Sequence, residues 1–144
     1  MKHVLFVDVR NTARSRMAEV WFNRLAAGWG KADSCGTMPA RIGDPCVVQV
    51  MREVGVTMPD RTPRPVKQQL LSRAEVVVIL GKELNAEAFP AARVWDLPDP
   101  THQPLPQYRL VRDAIYRNVE ELIVDLRTLE TQTRAPGWSI SPLR

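Results

Sequence analysis

An α/β fold, a single three-layer domain whose four-stranded parallel sheet is flanked by helices, is predicted by three features of the 144-residue chain. Strand-like and helix-like apolar patterns alternate along it, as they do when each strand returns to the sheet through a helix. Residues 75–80, Glu-Val-Val-Val-Ile-Leu, form a continuous β-branched run that suits a strand buried on both faces. Residues 105–129 carry a near-continuous helical stripe of Leu110, Val111, Ala114, Ile115, Val119, Leu122, Ile123, Leu126 and Leu129, long enough to cover a sheet.

The elements follow in order. Residues 2–7 read as the first strand. Residues 14–28 read as a helix with Met17, Ala18, Trp21, Phe22 and Leu25 on one face and Gly28 and Gly30 at its end. A second strand spans residues 31–35. Asp44-Pro45 supplies a capping carboxylate and a first-turn proline, and Val47, Val48, Val50, Met51 and Val54 form the apolar face of the helix that follows. Proline-rich residues 58–65 read as a loop, residues 66–73 as a short helix, residues 75–80 as a strand at the sheet centre, and residues 93–96 as a fourth strand. The domain is expected to occupy residues 1–134. Residues 135–144 read as a C-terminal tail that Trp138 either pins or leaves loose. No internal repeat or linker interrupts the domain.

Composition narrows the function classes. At this length a chain buries about two thirds of its unfolded surface, and 44% hydrophobic with 25% charged residues is ordinary globular usage. The net charge is +4 and the computed pI about 9.5, but twenty basic residues are scattered among sixteen acidic ones. No basic block with interleaved aromatics appears, so no nucleic-acid partner is expected, while mild attraction of anionic substrates stays open. No apolar stretch approaches the roughly 18 to 20 residues of a membrane span. The run after Met1-Lys2-His3 is too brief for a signal peptide, so no membrane association and a cytoplasmic location are expected. Cys35 and Cys46, the two cysteines, sit in neither metal-like nor redox-pair spacing and read as buried structural thiols. No metal site or cofactor is called for, and the oligomeric state is not legible.

The chemistry-bearing segment is residues 4–19, Val-Leu-Phe-Val-Asp-Val-Arg-Asn-Thr-Ala-Arg-Ser-Arg-Met-Ala-Glu. An apolar strand runs into a polar loop and then a helix, with Arg14 at the junction. In that layout the loop N–H groups of Val9, Arg10, Asn11, Thr12, Ala13, Arg14 and Ser15, the helix dipole and a guanidinium fork converge on one bound anion.

The segment resembles the phosphate-binding loop of the low-molecular-weight protein tyrosine phosphatases and the related thiol-dependent arsenate reductases. That family reads Cys, five residues, Arg, Ser after its opening strand. Here Asp8 to Arg14 keeps the offset, Asn11 falls on the family's loop-bracing asparagine, and Gly36-Thr37 follows the second strand as in the family, with Cys35 replacing alanine. Arg10 occupies a position often filled by glycine, which leans toward the arsenate-reductase branch. A second likeness is Trp95-Asp96-Leu97-Pro98-Asp99-Pro100, similar to the family's aspartate-proline loop. The resemblance implies that Asp99 is the general acid and Arg14 the oxyanion ligand, and that Asp8 stands at the position of the nucleophilic cysteine. Together these likenesses span nearly all of residues 2–129.

Departures narrow what the resemblance implies. The stretch 81–89, where arsenate reductases carry relay cysteines, has no sulfur, and Thr101-His102 replaces the aromatic wall expected after the aspartate-proline pair. Trp95, Tyr108 or Trp138 is left to supply such a wall. At position 8 a carboxylate feels the field that activates a thiolate, which predicts a depressed pKa and a firmly ionised Asp8. A second anion at ~4 Å from it costs about 4 kcal/mol at an effective dielectric near 20. Arg14 then binds either an external oxyanion or Asp8 itself, Asn11 and Ser15 either brace the loop or cap the helix, and Arg10 either lines the mouth or pairs with Asp99.

Three readings follow. The first is a family member with a degenerate phosphate or arsenate loop, catalytically impaired or retained as a binding or regulatory pseudoenzyme that engages an oxyanion or a phosphoprotein. The second is an active tyrosine phosphatase or arsenate reductase whose cysteine was engineered to aspartate. The third is an aspartyl-phosphate phosphohydrolase. The departures at Arg10, Ala13 and Thr101 favour natural drift over a single engineered change.

Overall fold

The structure, a computed structural model, describes residues 1–134; the expected tail and Trp138 lie outside the described residues. Strand β1 (Lys2–Asp8), helix α1 (Arg14–Leu25), β2 (Gly30–Gly36), α2 (Pro45–Glu53), α3 (Gln68–Arg73), β3 (Val76–Leu80), β4 (Arg93–Trp95) and α4 (Leu105–Arg134) follow in chain order. The four strands form one parallel sheet in the order β2-β1-β3-β4. The expected three-layer α/β architecture is present.

Alternation along β1 builds the layers, because successive side chains leave a strand on opposite faces. Val4 and Phe6 join Val78 and Leu80 in a core with Met17 and Phe22 of α1, Val50 and Met51 of α2, and Ile115 and Val119 of α4. Leu5, Val7 and Ile79 enter the opposite layer with Cys35, Leu70 of α3, Leu84 and Phe89. The long α4 packs beside α1 and α2 and shares their core with the sheet, as most of its stripe predicts, while Leu110 and Leu129 of that stripe are exposed. Tyr108 fixes α4 to the start of α2 by donating its hydroxyl to Asp44 Oδ2 at 2.7 Å, while Asp44 Oδ1 caps α2 by accepting from the Cys46 amide at 2.9 Å.

Several boundaries differ from the sequence expectations. Helix α1 ends at Leu25 rather than near Gly28. The chain closes there through the Ala26 amide to Phe22 and the Gly30 amide to Ala26, with Gly28 at φ 84°. Helix α3 begins at Gln68, not residue 66, because Pro65 pairs with Gly36 in an isolated parallel bridge that keeps the chain extended. Strand β3 lies at the centre of the sheet as expected, beside β1. Helix α4 continues five residues past 129 to Arg134, and a short 3-10 turn forms at Ala86–Ala88.

Candidate functional site

Strand β1 delivers Asp8 to the carboxyl edge of the sheet, where ligands gather in open α/β folds, and α1 begins six residues later at Arg14. The intervening loop is held from outside. The amides of Thr37, Met38 and Ala40 donate to the carbonyls of Asp8, Val9 and Arg10 at 3.0, 2.8 and 3.0 Å. Gly36 allows this approach, since a Cβ there would lie 2.6 Å from the Val9 carbonyl oxygen and 2.9 Å from the Asn11 nitrogen. With their carbonyls occupied, the amides of Arg10, Thr12 and Ala13 donate to no acceptor among the described residues. The loop is an amide-lined turn at a helix start.

Asn11 is the brace. Its backbone sits at φ 58°, a left-handed conformation that asparagine tolerates better than most residues. Its side-chain amide donates to Ser15 Oγ and Ser34 Oγ, each at 2.9 Å, and its Oδ1 accepts from the Arg64 amide at 3.0 Å. Beneath it lies a second layer. Ser34 Oγ donates to the buried Glu19, and Arg61 forks onto both Glu19 oxygens at 2.7 and 2.9 Å. Arg16 donates to the carbonyls of Pro59 and Arg61. The proline-rich segment is thereby tied under the loop, which no periodicity in residues 58–65 could announce.

Asp8 is 2% exposed and points into the loop. Its Oδ1 accepts the Asn11 amide at 2.7 Å and its Oδ2 the Ser15 amide at 2.9 Å. Residue 13 at the N-cap of α1 is an alanine with no capping side chain, so Asp8 performs that service from seven residues before the Ser15 amide it accepts. The expectation of a depressed pKa is overturned: burial pushes the Asp8 carboxyl above its ordinary value, against the Ser15 and Asn11 amides, the Ser15 hydroxyl and Arg14, which pull it down. Counting donors and charges on the sequence left out the cost of stripping water from the carboxylate.

A raised folded-state pKa has a signed consequence. Between the unfolded value near 3.8 and the higher folded value, the native state holds the extra proton, so the stability Asp8 contributes is present below that window and lost as pH rises through it. Urea unfolding of wild type and Asp8→Asn from pH 4 to 8 should show wild type losing stability relative to the variant as pH rises, then levelling. A difference that stays flat, or that grows in favour of wild type, would contradict a raised pKa.

Arg14 does not pair with Asp8. Its guanidinium, 2% exposed, grips Glu83: Nη1 reaches Oε1 at 3.3 Å and Nη2 makes a short contact with Oε2. Nη1 also donates to the Leu97 carbonyl at 2.9 Å, and Asp99 Oδ2 lies 3.9 Å from Nη2. The Nε of Arg14 is buried and has no hydrogen-bond partner among the described residues. The sequence placed Arg14 with an external oxyanion or Asp8 and read residues 81–89 only for missing sulfur. The overlooked signal is positional: Glu83 follows Gly81 at the carboxyl end of β3, the strand beside β1.

Asp99 is brought to the same guanidinium, as its place after β4 predicts. Its Oδ1 accepts from the Thr101 amide at 3.0 Å and the Thr101 hydroxyl at 2.6 Å. Burial raises its pKa, but the Thr101 bonds, Arg14 and Arg10 together outweigh burial and hold the carboxyl below its ordinary value. Arg10 is exposed and makes no ion pair among the described residues, acting on Asp99 through its charge. Cys35 lies in the apolar layer on the far face of β2, buried as a structural thiol should be, and burial, reinforced by the Asp8 charge, leaves its thiol pushed up to about 12. On the α2 side, a cavity of about 650 Å³ adjoins the loop at Thr12 but is not lined by Asp8, Arg14 or Asp99.

Strand, amide-lined loop and arginine-bearing helix at the carboxyl edge of a parallel sheet define the phosphate-loop class of α/β proteins. Within that class the chain belongs to the low molecular weight phosphotyrosine protein phosphatase family, whose sequence profile matches residues 3–134. Similar proteins include the glutaredoxin arsenate reductase of Synechocystis sp., 34% identical over 131 residues that cover 88% of this chain and 99% of that protein. A putative arsenate reductase of Halobacterium salinarum is 36% identical over 129 residues, covering 84% and 87% respectively. Among solved structures, an arsenate reductase in the phosphate binding state superimposes with a TM-score of 0.79 at 34% identity, covering 87% of this chain and 98% of that one. The YwlE arginine phosphatase of Geobacillus stearothermophilus shares the fold with a TM-score of 0.79 at 23% identity, covering 93% and 97%.

Proposed function

We propose that this chain is a phosphatase/arsenate-reductase-like protein with a degenerate oxyanion loop, which binds a phosphate- or arsenate-like group, free or on a phosphoprotein, with little or no turnover. The observation that carries this reading is Asp8 itself, a buried carboxylate with both oxygens engaged by the loop's own amides. In the family, as the resemblance has it, a thiolate at that position attacks the substrate. A carboxylate tied as acceptor to two N–H groups is a weak substitute, because attack would break bonds that also cap α1. Asp99, held below its ordinary range, is poorly protonated near neutral pH and so poorly matched to general-acid work.

Residual oxyanion binding is supported by what stays open: the amides of Arg10, Thr12 and Ala13, and the unpartnered Arg14 Nε. The raised pKa of Asp8 lets an incoming anion draw a proton onto it and so avoid the full like-charge penalty. Among the described residues no helix is long and apolar enough to cross a membrane; a cytoplasmic location is part of the proposal.

The test pairs binding with turnover. Calorimetric titration of the purified chain with inorganic phosphate and with arsenate should show binding, while release of p-nitrophenol from p-nitrophenyl phosphate stays at the rate of buffer alone. Hydrolysis well above buffer that vanishes in Asp8→Asn would overturn this reading in favour of an aspartyl-phosphate route.

A further inference from the structure

We infer that Glu83 is a tethered competitor for the oxyanion site: its carboxylate occupies the Arg14 fork in the free protein, and a ligand must displace it to bind. The inference rests on the oxyanion-binding reading and names what sets the affinity and selectivity of that site.

The geometry is that of a captured anion. Arg14 is almost wholly buried, yet its two terminal nitrogens are taken by a glutamate whose own side chain is 44% exposed. A planar guanidinium fork meeting a carboxylate through two parallel N–H donors is the same recognition an external carboxylate, phosphate or arsenate would receive. The fit is shaped by Gly81, at φ 116°, where a Cβ would fall 2.2 Å from both Arg14 Nη1 and Glu83 Oε1. The contact holds the Glu83 carboxyl below its ordinary value, first through the Arg14 hydrogen bonds, so the competitor is charged at neutral pH.

The backbone around Glu83 is anchored on both sides. The Gly81 amide donates to the Trp95 carbonyl at 2.8 Å, and Leu84 is buried in the lower apolar layer. Release therefore needs only rotation of the Glu83 side chain toward the solvent it already half faces. No turn has to unfold. Arg14 retains the Leu97 carbonyl throughout, which keeps the guanidinium aimed at the loop while Glu83 leaves.

A tether makes the competitor effective. A carboxylate held beside its partner acts at an effective concentration of millimolar or above, and the apparent dissociation constant of any rival rises by the inverse of the fraction of open sites. A free monocarboxylate offers Arg14 nothing that Glu83 does not, and it also pays for association. A tetrahedral dianion brings a second charge and further oxygens for the open amides of Arg10, Thr12 and Ala13, so it can win. Glu83 thus selects against simple carboxylates and for phosphate-like anions.

Calorimetry at constant ionic strength on wild type, Glu83→Gln and Glu83→Ala tests this, with inorganic phosphate and acetate as probes. Both variants should bind phosphate about tenfold or more tightly than wild type, and acetate should compete with phosphate in the variants but not in wild type. Arg14→Lys placed on Glu83→Gln should remove the gain, because a lysine offers no fork. Wild-type and variant affinities within twofold of each other would overturn the competitor role and leave oxyanion binding standing. Absence of phosphate binding in all three proteins, each folded by circular dichroism, would overturn both.

Discussion

Replacing Asp8 with cysteine is expected to raise hydrolysis of p-nitrophenyl phosphate by about three orders of magnitude or more over wild type, since losing a nucleophile alone costs enzymes on the order of 10⁶ in turnover. The loop that now caps itself with the Asp8 carboxylate would present the same Asn11 and Ser15 amides, the start of α1 and the Arg14 charge to a sulfur. Those groups lower a thiol's pKa and favour the nucleophilic thiolate, against the same burial that raises the Asp8 carboxyl. Asp99 already stands 3.9 Å from Arg14. Because its carboxyl is held below the ordinary range, its acid form disappears early, and the variant's kcat/KM should fall as pH rises from the acidic side. Adding Glu83→Gln should increase kcat/KM further by freeing the Arg14 fork. A folded, phosphate-binding Asp8→Cys protein with no more turnover than wild type would overturn the proposal that the carboxylate at position 8 limits turnover.

The fold was legible because its signals are local. The β-branched run of β3, the stripe of α4 and the Asp44-Pro45 start of α2 each declare an element without reference to any other. The site was legible only where a fixed spacing encodes it: the offset from Asp8 to Arg14 and the aspartate-proline pair at Asp99. Glu83 was passed over because its partner lies 69 residues away and no period links them. What could have shown it is topology, since adjacent strands β1 and β3 bring their carboxyl ends, and whatever follows them, to one edge. The titration expected of Asp8 differs from the one its burial sets, because sequence lists the groups that favour a charge and says little about how thoroughly water is removed from it. The same blindness applies to α3, whose delayed start reflects a bridge between Pro65 and Gly36 rather than any weakness of local propensity.

Asn11→Ala is expected to cost about 4 kcal/mol, the largest loss from any single side chain of the loop, by two separable routes. The first is backbone strain: alanine at φ 58° pays about 1–2 kcal/mol that asparagine partly escapes. The second is polar. Truncation leaves the part-buried Arg64 amide without an acceptor and removes the donors to Ser15 and Ser34, and each buried group left unmatched costs about 1–3 kcal/mol, less where water enters. Asn11→Gly separates the routes. Glycine adopts the left-handed conformation freely but makes none of the side-chain bonds, so it should recover about 1–2 kcal/mol relative to alanine while remaining well below wild type. Urea denaturation with a common m-value measures both differences. Equal stability of the alanine and glycine variants would remove strain from the account, and two variants within about 0.5 kcal/mol of wild type, the range of an ordinary surface change, would remove the brace as well. The loop would then be held by its carbonyl bonds to residues 37–40 and by Asp8, and the carboxylate at position 8 would have to be regarded as the principal structural member of the cradle, with Asn11 a spectator beside it.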